Sequence, residues 1–487
     1  MIYGQEKELA DLRALLLSGP DSDSALITER HALTFREVRE HVDHLGQALF
    51  ESADKALAFC FLRNSVQLCL IYLSAITHGQ AVGLFPAATP PDRMRGLVAA
   101  YRPELVFLPP GELEEFMRAS AYSPVASPVL GEDVATWASR PAGEIAAELA
   151  LLLSTSGSTG TPKLVRISAD NIAGNVAGIT RALCLSPAQR AVTSVPLCYS
   201  YGLSILTSHL AAGSAVVVTD ASPLTRGFWT LAHRAAVTTF GGTPVVHQTV
   251  LGRAGAGWLP PTIRVMTQAG GRLPERAARD ALSWTRRDGG AFYCMYGQTE
   301  ATSRITVLDA ARLSDKLGSV GTAVPGGHVS VAPYRPGEAD GSICYRGPNV
   351  MMGYATGRGD LARGREVGTL DTGDLGHLDA DGFLYVAGRS SRFAKLLDQR
   401  VSLDDIEEWF GPPGRAAAVA APGDAAIVVF TASDPAALEP VRREIASALG
   451  VPAASIRVRP VAAIPQTVNG KTDYPALVRR VQRERAG

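Results

Sequence analysis

Leu151-Leu-Leu-Ser-Thr-Ser-Gly-Ser-Thr-Gly-Thr-Pro-Lys-Leu-Val-Arg-Ile-Ser168 sets an apolar run, a loop of hydroxyl side chains and glycines, and a second β-branched run in direct succession. The order reads strand, anion loop, strand. From Ser154 to Thr161 six residues carry hydroxyls and the other two are Gly157 and Gly160, so nearly every position can turn an N–H or O–H outward. Such a loop can wrap phosphate oxygens. Pro162 fixes the exit of the loop and Lys163 adds one positive charge beside it. The same composition also suits a flexible surface turn. A mere linker would be longer and would not be held between two apolar strand-like runs. The G-x-x-x-x-G-K-[ST] order of ordinary nucleoside triphosphatases is absent, and no helix opens at the lysine.

Outward from this stretch, bulk properties narrow the class. A chain of 487 residues exceeds what one hydrophobic core usually serves, so at least two domains are expected. The 47 basic and 47 acidic residues cancel, which leaves no electrostatic case for nucleic acid or an anionic membrane. With 48 glycines and 31 prolines beside 46% hydrophobic residues, the composition suits a large α/β enzyme with many loops. Cys60, Cys69, Cys184, Cys198, Cys294 and Cys344 form no C-x-x-C pair and read as buried thiols of a cytoplasmic protein. The charged amino terminus and the interruption of Ala56–Ile76 by Arg63 and Asn64 predict neither signal peptide nor membrane span.

Helical and strand-like periods alternate along the first 150 residues: a helix over 33–49, then strands over 56–62 and 80–85. This βαβ rhythm predicts a mostly parallel sheet. After the loop come a helix over 169–184, strands over 191–195, 238–243 and 264–267, and short strands at 328–332, 341–345 and 384–386. The tail predicts strands over 416–421 and 426–431, a helix from Pro440 to Leu449, and a strand over 456–461. The nine histidines, including His41 and His44, show no metal-binding spacing.

Thr155-Ser-Gly-Ser-Thr-Gly-Thr-Pro-Lys163 closely resembles the phosphate loop of the adenylate-forming superfamily, the acyl-CoA synthetases, nonribosomal adenylation domains and luciferases. Four further segments resemble the family in the same order: Gln268-Ala-Gly-Gly-Arg-Leu273, Phe292-Tyr-Cys-Met-Tyr-Gly-Gln-Thr-Glu-Ala301, Asp371-Thr-Gly-Asp-Leu375, and Ile464-Pro-Gln-Thr-Val-Asn-Gly-Lys471. The implied fold is α/β. A large N-terminal domain over 1–387 would hold layered, mostly parallel sheets with helices and a small β subdomain at about 303–386. A smaller, mobile α+β C-terminal domain over 388–487 would carry Lys471.

The resemblance also implies roles. Thr155, Ser156, Gly157, Ser158, Thr159, Gly160, Thr161 and Lys163 would hold the β- and γ-phosphates of ATP; Gly270, Gly271 and Arg272 would lie along adenine, with Tyr296 stacked on it beside Gly297. Thr299 would reach the α-phosphate, Glu300 would hold Mg²⁺, Asp374 would accept both ribose hydroxyls, Arg389 would contact the nucleotide, and Lys471 would bridge carboxylate and α-phosphate. Taken alone, T-G-D also reads as an Asx-turn, and a glutamate as a solvated carboxylate. Pro196-Leu-Cys-Tyr-Ser-Tyr-Gly-Leu203, with Tyr199 and Gly202, would form one wall of the acyl pocket. Where amino-acid-activating relatives place an aspartate this chain has Tyr199, and a phenol cannot replace that charge.

The implied reaction activates a fatty, branched or aryl carboxylic acid to acyl-AMP and passes it to a pantetheine thiol, that of CoA or of a separate acyl or peptidyl carrier protein. A stand-alone amino-acid adenylation enzyme and a non-catalytic adenylate-binding paralogue are the alternatives. Two departures stand out: Ser391 replaces the usual hinge Asp or Lys, and Asp398 replaces a glycine near the pantetheine arm, which favours a carrier over free CoA. Only 16 residues follow Lys471, so no fused carrier domain is expected.

Overall fold

Two apolar runs pair where the sequence places them: Leu149–Ser154 and Leu164–Ser168 are antiparallel neighbours, buried at every position but the last of the first strand. The structure, a computed structural model, describes residues 12–50, 54–127, 129–140, 143–154, 163–253, 258–333, 340–396, 399–411, 414–421, 426–449, 451–466 and 472–486.

This pair lies in an eight-stranded sheet. Leu149–Ser154, Ala81–Leu84, Leu57–Cys60 and Leu105–Leu108 run parallel at its centre, and Gly353–Ala355 adds antiparallel to Leu164–Ser168 at one edge. A second sheet of nine strands has a parallel run of Ala291–Tyr296, Val265–Gln268, Thr239–Gly242, Arg190–Val192, Ala215–Val217 and Ser24–Ile27. At the centre of the eight-stranded sheet, Leu57–Cys60, Ala81–Leu84 and Leu105–Leu108 are buried at every position and are continuous apolar runs rather than alternating ones.

The helices Phe35–Phe50, Val66–Thr77, Ala169–Ala182 and Ser200–Ala211 share the largest core cluster with strands of both sheets. Their starts are encoded locally. Ser168 and Asn171 form a capping box, Thr34 and Glu37 exchange the equivalent bonds, and Ser65 accepts from the Leu68 N–H. Val66–Thr77 is apolar around nearly its whole circumference and is buried accordingly.

Of the stretch 303–386, the strands His328–Ala332, Gly341–Arg346, Leu370–Leu378 and Leu384–Arg389 form an antiparallel four-stranded sheet. Its other strands extend the two large sheets instead: Thr306–Leu308 and Thr322–Ala323 edge the nine-stranded one, and Gly353–Ala355 the eight-stranded one. From Ala394 onward the buried residues gather in two clusters of their own, around the three-stranded sheet Ala416–Ala420, Ile427–Thr431 and Ile456–Pro460. Of the cysteines, Cys60, Cys69, Cys198 and Cys294 are buried as expected; Cys344 is only half-buried, and Cys184, which follows the end of Ala169–Ala182 with a left-handed φ of 50°, is exposed. Among the described residues no helix is long and apolar enough to cross a membrane.

Candidate active site

Three sheets deliver side chains to one region. The strand Ala291–Tyr296 of the nine-stranded sheet ends at Tyr296, whose hydroxyl donates to Asp374 Oδ2 at 2.5 Å. Asp374 stands directly across the ladder from Arg389, and Arg389 Nε lies 2.9 Å from Asp374 Oδ1. The Asx-turn exists, but Asp371 makes it by accepting from the Gly373 N–H at 3.0 Å, with Gly373 at φ 70°. That turn leaves Asp374 free to point at Tyr296. Asp374 is only 5% exposed. Burial raises its carboxyl above the ordinary value against the opposing charge of Arg389, and burial with Asp374 alongside raises the Tyr296 phenol well above its own.

Beyond Tyr296 the chain folds back sharply. A Cβ at Gly297 would stand 1.9 Å from the Ser303 carbonyl oxygen, so only glycine fits the approach. A short 3₁₀ turn, Thr299–Ala301, then presents Thr299 and Glu300, and Gln298 Nε2 donates to the Thr372 carbonyl at 3.2 Å.

Glu300 Oε1 accepts from the Tyr354 hydroxyl at 2.9 Å, and Lys163 Nζ lies 3.3 Å from the centre of the same ring. Tyr354 comes from the edge strand paired with Leu164–Ser168. The pairing is tied from below by the fully buried Arg166, which donates to the Tyr354 carbonyl at 3.2 Å and pairs with Glu366. Burial, then Glu300 beside it, raises the Tyr354 phenol. No cation pairs with Glu300 among the described residues. A carboxylate held by one neutral hydroxyl retains oxygen lone pairs for a hard cation such as Mg²⁺, which takes one or two carboxylates and completes its shell with phosphates and water.

The glycine pair Gly270–Gly271 follows Val265–Gln268. Gly270 has φ 88°, Gln268 Nε2 donates to the Gly271 carbonyl at 2.8 Å, and a Cβ at Gly271 would press on Pro244 at 3.3 Å. Arg272 is exposed and pairs with Asp405 of the helix Leu403–Trp409 at 2.8 Å.

Tyr199 caps Ser200–Ala211 without a side-chain bond and packs half-buried on the main core. The hydroxyl nearest Thr299 belongs to the next residue, with Ser200 Oγ 3.5 Å from Thr299 Oγ1. Gly202 serves close packing, since a Cβ there would lie 2.2 Å from the Pro196 carbonyl oxygen. Thr155–Thr161, Asp398 and Lys471, and the side chain of Ser391, lie outside the described residues.

Tyr296, Gly297, Thr299, Glu300, Asp374 and Arg389 are thus brought together, with Lys163 reaching Glu300 through Tyr354. Ser200, Tyr354 and Gln298 were not singled out from the sequence. Ser200 could have been found as the first helical residue beside Tyr199, whereas Tyr354 depends on a strand pairing 188 residues away in sequence.

A family profile described as AMP-binding enzyme matches residues 18–355, more than half of the chain. The 2-succinylbenzoate–CoA ligase of Geobacillus kaustophilus is 33% identical over 249 residues, which is 50% of this chain and 49% of that protein. The match thus spans about half of that relative's length. The sulfoacetate–CoA ligase of Cupriavidus necator is 28% identical over 453 residues, 86% of this chain and 87% of its own. O-Succinylbenzoate coenzyme A synthetase from Bacillus subtilis, solved in complex with ATP and magnesium ion, shares the fold with a TM-score of 0.76 at 21% identity, covering 98% of this chain and 99% of that one.

Proposed function

Because the chain belongs to the AMP-binding enzyme family, we propose that it is an AMP-forming acid–thiol ligase that activates a small carboxylic acid with ATP. The observation that carries the reading is the pair of carboxylates in one region: Asp374, buried against Tyr296 and Arg389, and Glu300, without a cationic partner among the described residues. One suits a vicinal diol, the other a metal ion on a polyphosphate.

In this reading the Gly270–Gly271 turn admits the flat base to the backbone, and Tyr296 offers it a ring face while its hydroxyl orients Asp374. Asp374 accepts from the ribose hydroxyls, and the charge of Arg389 opposes the rise that burial imposes on its carboxyl. Thr299, Thr155–Thr161 and Lys163 donate to the phosphates. Mg²⁺ on Glu300 would neutralise phosphate charge and fix the polyphosphate for in-line displacement.

A carboxylate oxygen attacks the α-phosphorus, the bond to the bridging oxygen of pyrophosphate breaks, and acyl-AMP remains. Lys471 is assigned to the charge developing at that phosphorus, so electrostatic positioning supplies most of the acceleration. A thiol sulfur then attacks the acyl carbon, its proton leaves, and AMP departs with the electron pair of the C–O bond. The thiol is assigned to CoA, as the names of the relatives support, and the reaction to the cytoplasm; transfer to a carrier protein is the competing outcome.

The experiment is acid-dependent exchange of pyrophosphate into ATP, across fatty, aryl, dicarboxylic and amino acids, followed by CoA addition. Exchange with a carboxylic acid other than an amino acid, then thioester formation, is the expected result. A preference for one standard amino acid overturns the acid class, and no exchange with any acid overturns the ligase.

A further inference from the structure

The helix Ser200–Ala211, whose first residue lies beside Thr299, also lines a small cavity between it and the strands Thr239–Gly242, Val265–Gln268 and Ala291–Tyr296. Its polar lining is Tyr201, Ser204, Ser208, His209, Thr239, Thr267 and Arg304. The free volume, about 10 Å³, is that of about one water position. Arg304 is 2% exposed and forms no ion pair among the described residues. Its guanidinium carbon lies 4.9 Å from the centre of the Tyr201 ring, and Nη2 donates to Ser204 Oγ at 3.3 Å. Among the described residues Nε has no partner, and neither have Thr239 Oγ1 and His209 Nε2.

A buried guanidinium without a carboxylate is costly. Burial lowers Arg304 only to about 10, so it remains a cation at neutral pH. His209 adds no charge. Its Nδ1 lies 2.9 Å from the Ile205 carbonyl, which can only accept, and burial lowers the ring to about 4. No lining residue is acidic. Tyr201 is itself occupied, bonded to Thr267 at 2.8 Å and accepting from the Gly242 N–H at 3.2 Å. The charge of the cavity therefore belongs to Arg304 alone.

Position sets the length of what it recognises. Ser200 and Ser204 are four residues apart on one helix face, a rise of about 6 Å. A carboxylate reacting beside Thr299 and Ser200 thus has Arg304 and Ser204 one helical turn further in.

We propose that the acid carries a second anionic group at its far end, a short dicarboxylate or its sulfonate equivalent, with an oxygen of that group in the cavity bonded to Arg304. This rests on the acid-activating reading and narrows it: the second charge, not chain length or an aryl ring, would be the main discriminator.

The test compares pyrophosphate exchange by the full chain with matched pairs of equal chain length: succinate against butanoate, glutarate against pentanoate, adipate against hexanoate. At least one dianionic acid is expected to exceed its partner by more than 10-fold in kcat/KM. Arg304→Met should lower that ratio by roughly 10²-fold, and Arg304→Lys should keep its direction. Monocarboxylates equal to or better than dicarboxylates at every length would overturn the proposal while leaving acid activation standing. An unchanged ratio in Arg304→Met would overturn it too, and so would exchange confined to monoanionic acids of the wider panel with none from the three dicarboxylates, which leaves acid activation standing; no exchange with any acid of either panel would overturn both readings. The wild-type comparison decides even if Arg304→Met does not fold.

Discussion

Replacing Asp374 by asparagine keeps the side chain's shape and removes its charge at the point where two sheets meet. The carboxylate is 5% exposed, takes the Tyr296 hydroxyl at 2.5 Å, and sits 2.9 Å from Arg389 Nε. Folding should change little. Burial raises the Asp374 carboxyl, so its ionised form is disfavoured by the fold at neutral pH and the amide relieves that cost. What it loses is a pairing with a half-exposed arginine, worth about 0–1 kcal/mol. Nucleotide binding is different. An ionised acceptor serving a diol contributes about 1.5–3 kcal/mol more than a neutral one that keeps only one acceptor oxygen, or roughly 10- to 150-fold in Kd. Calorimetric titration with ATP and with 2′,3′-dideoxy-ATP separates the two effects, because only ATP brings the hydroxyls. Asp374→Asn should weaken ATP by that factor and leave the dideoxy nucleotide within about threefold. Equal weakening of both would refute the ribose assignment, and a collapse in Tm would show that Asp374 is structural.

Four further outcomes follow from the same geometry. Glu300→Gln keeps the Tyr354 bond but removes the metal-facing charge, so the Mg²⁺ concentration for half-maximal exchange should rise at least about 10-fold, read from a magnesium titration of pyrophosphate exchange. Lys471→Ala should lower acyl-AMP formation by roughly 10²–10³ while thioester formation from supplied acyl-AMP survives; equal loss in both steps would remove Lys471 from its assigned step. His209 and His247 are buried neutral, both lowered to about 4 by burial, so the unfolded chain takes up protons first as pH falls. Their contribution is complete above about pH 6.5 and is lost toward pH 4, about 3 kcal/mol each, seen as a fall in Tm that a Phe replacement flattens. Arg392, 9% exposed, bonds Asp404 at 2.8 Å, Glu407 at 2.5 Å and the Ala418 carbonyl at 2.6 Å, and its alanine variant should lose about 3 kcal/mol of stability by leaving the half-buried Glu407 without its cation.

Much of the site was legible because it is local. The strand pair around residues 155–162, the 3₁₀ turn bearing Thr299 and Glu300, and the turn before Asp374 are each specified within about ten residues by glycines, hydroxyls and apolar runs. The partners of those residues were not legible, because strand register brings them from far away. Tyr354 reaches Glu300 only through the pairing of Gly353–Ala355 with Leu164–Ser168, and Asp405 reaches Arg272 across 133 positions. Arg304 was missed for another reason. A charged residue is normally solvated, and nothing in Thr302-Ser-Arg-Ile305 announces that Thr302, at φ 59°, turns the chain so that Arg304 points into the core.

The route of the oxygen atoms tests the chemistry most directly. With an exchange-competent acid labelled with oxygen-18 in its carboxylate, attack on the α-phosphorus followed by thiol transfer puts one labelled oxygen into AMP and none into pyrophosphate, measured by mass spectrometry after a full turnover with CoA. Label in inorganic phosphate with ADP as the other product, or unlabelled AMP, would contradict carboxylate attack at the α-phosphorus.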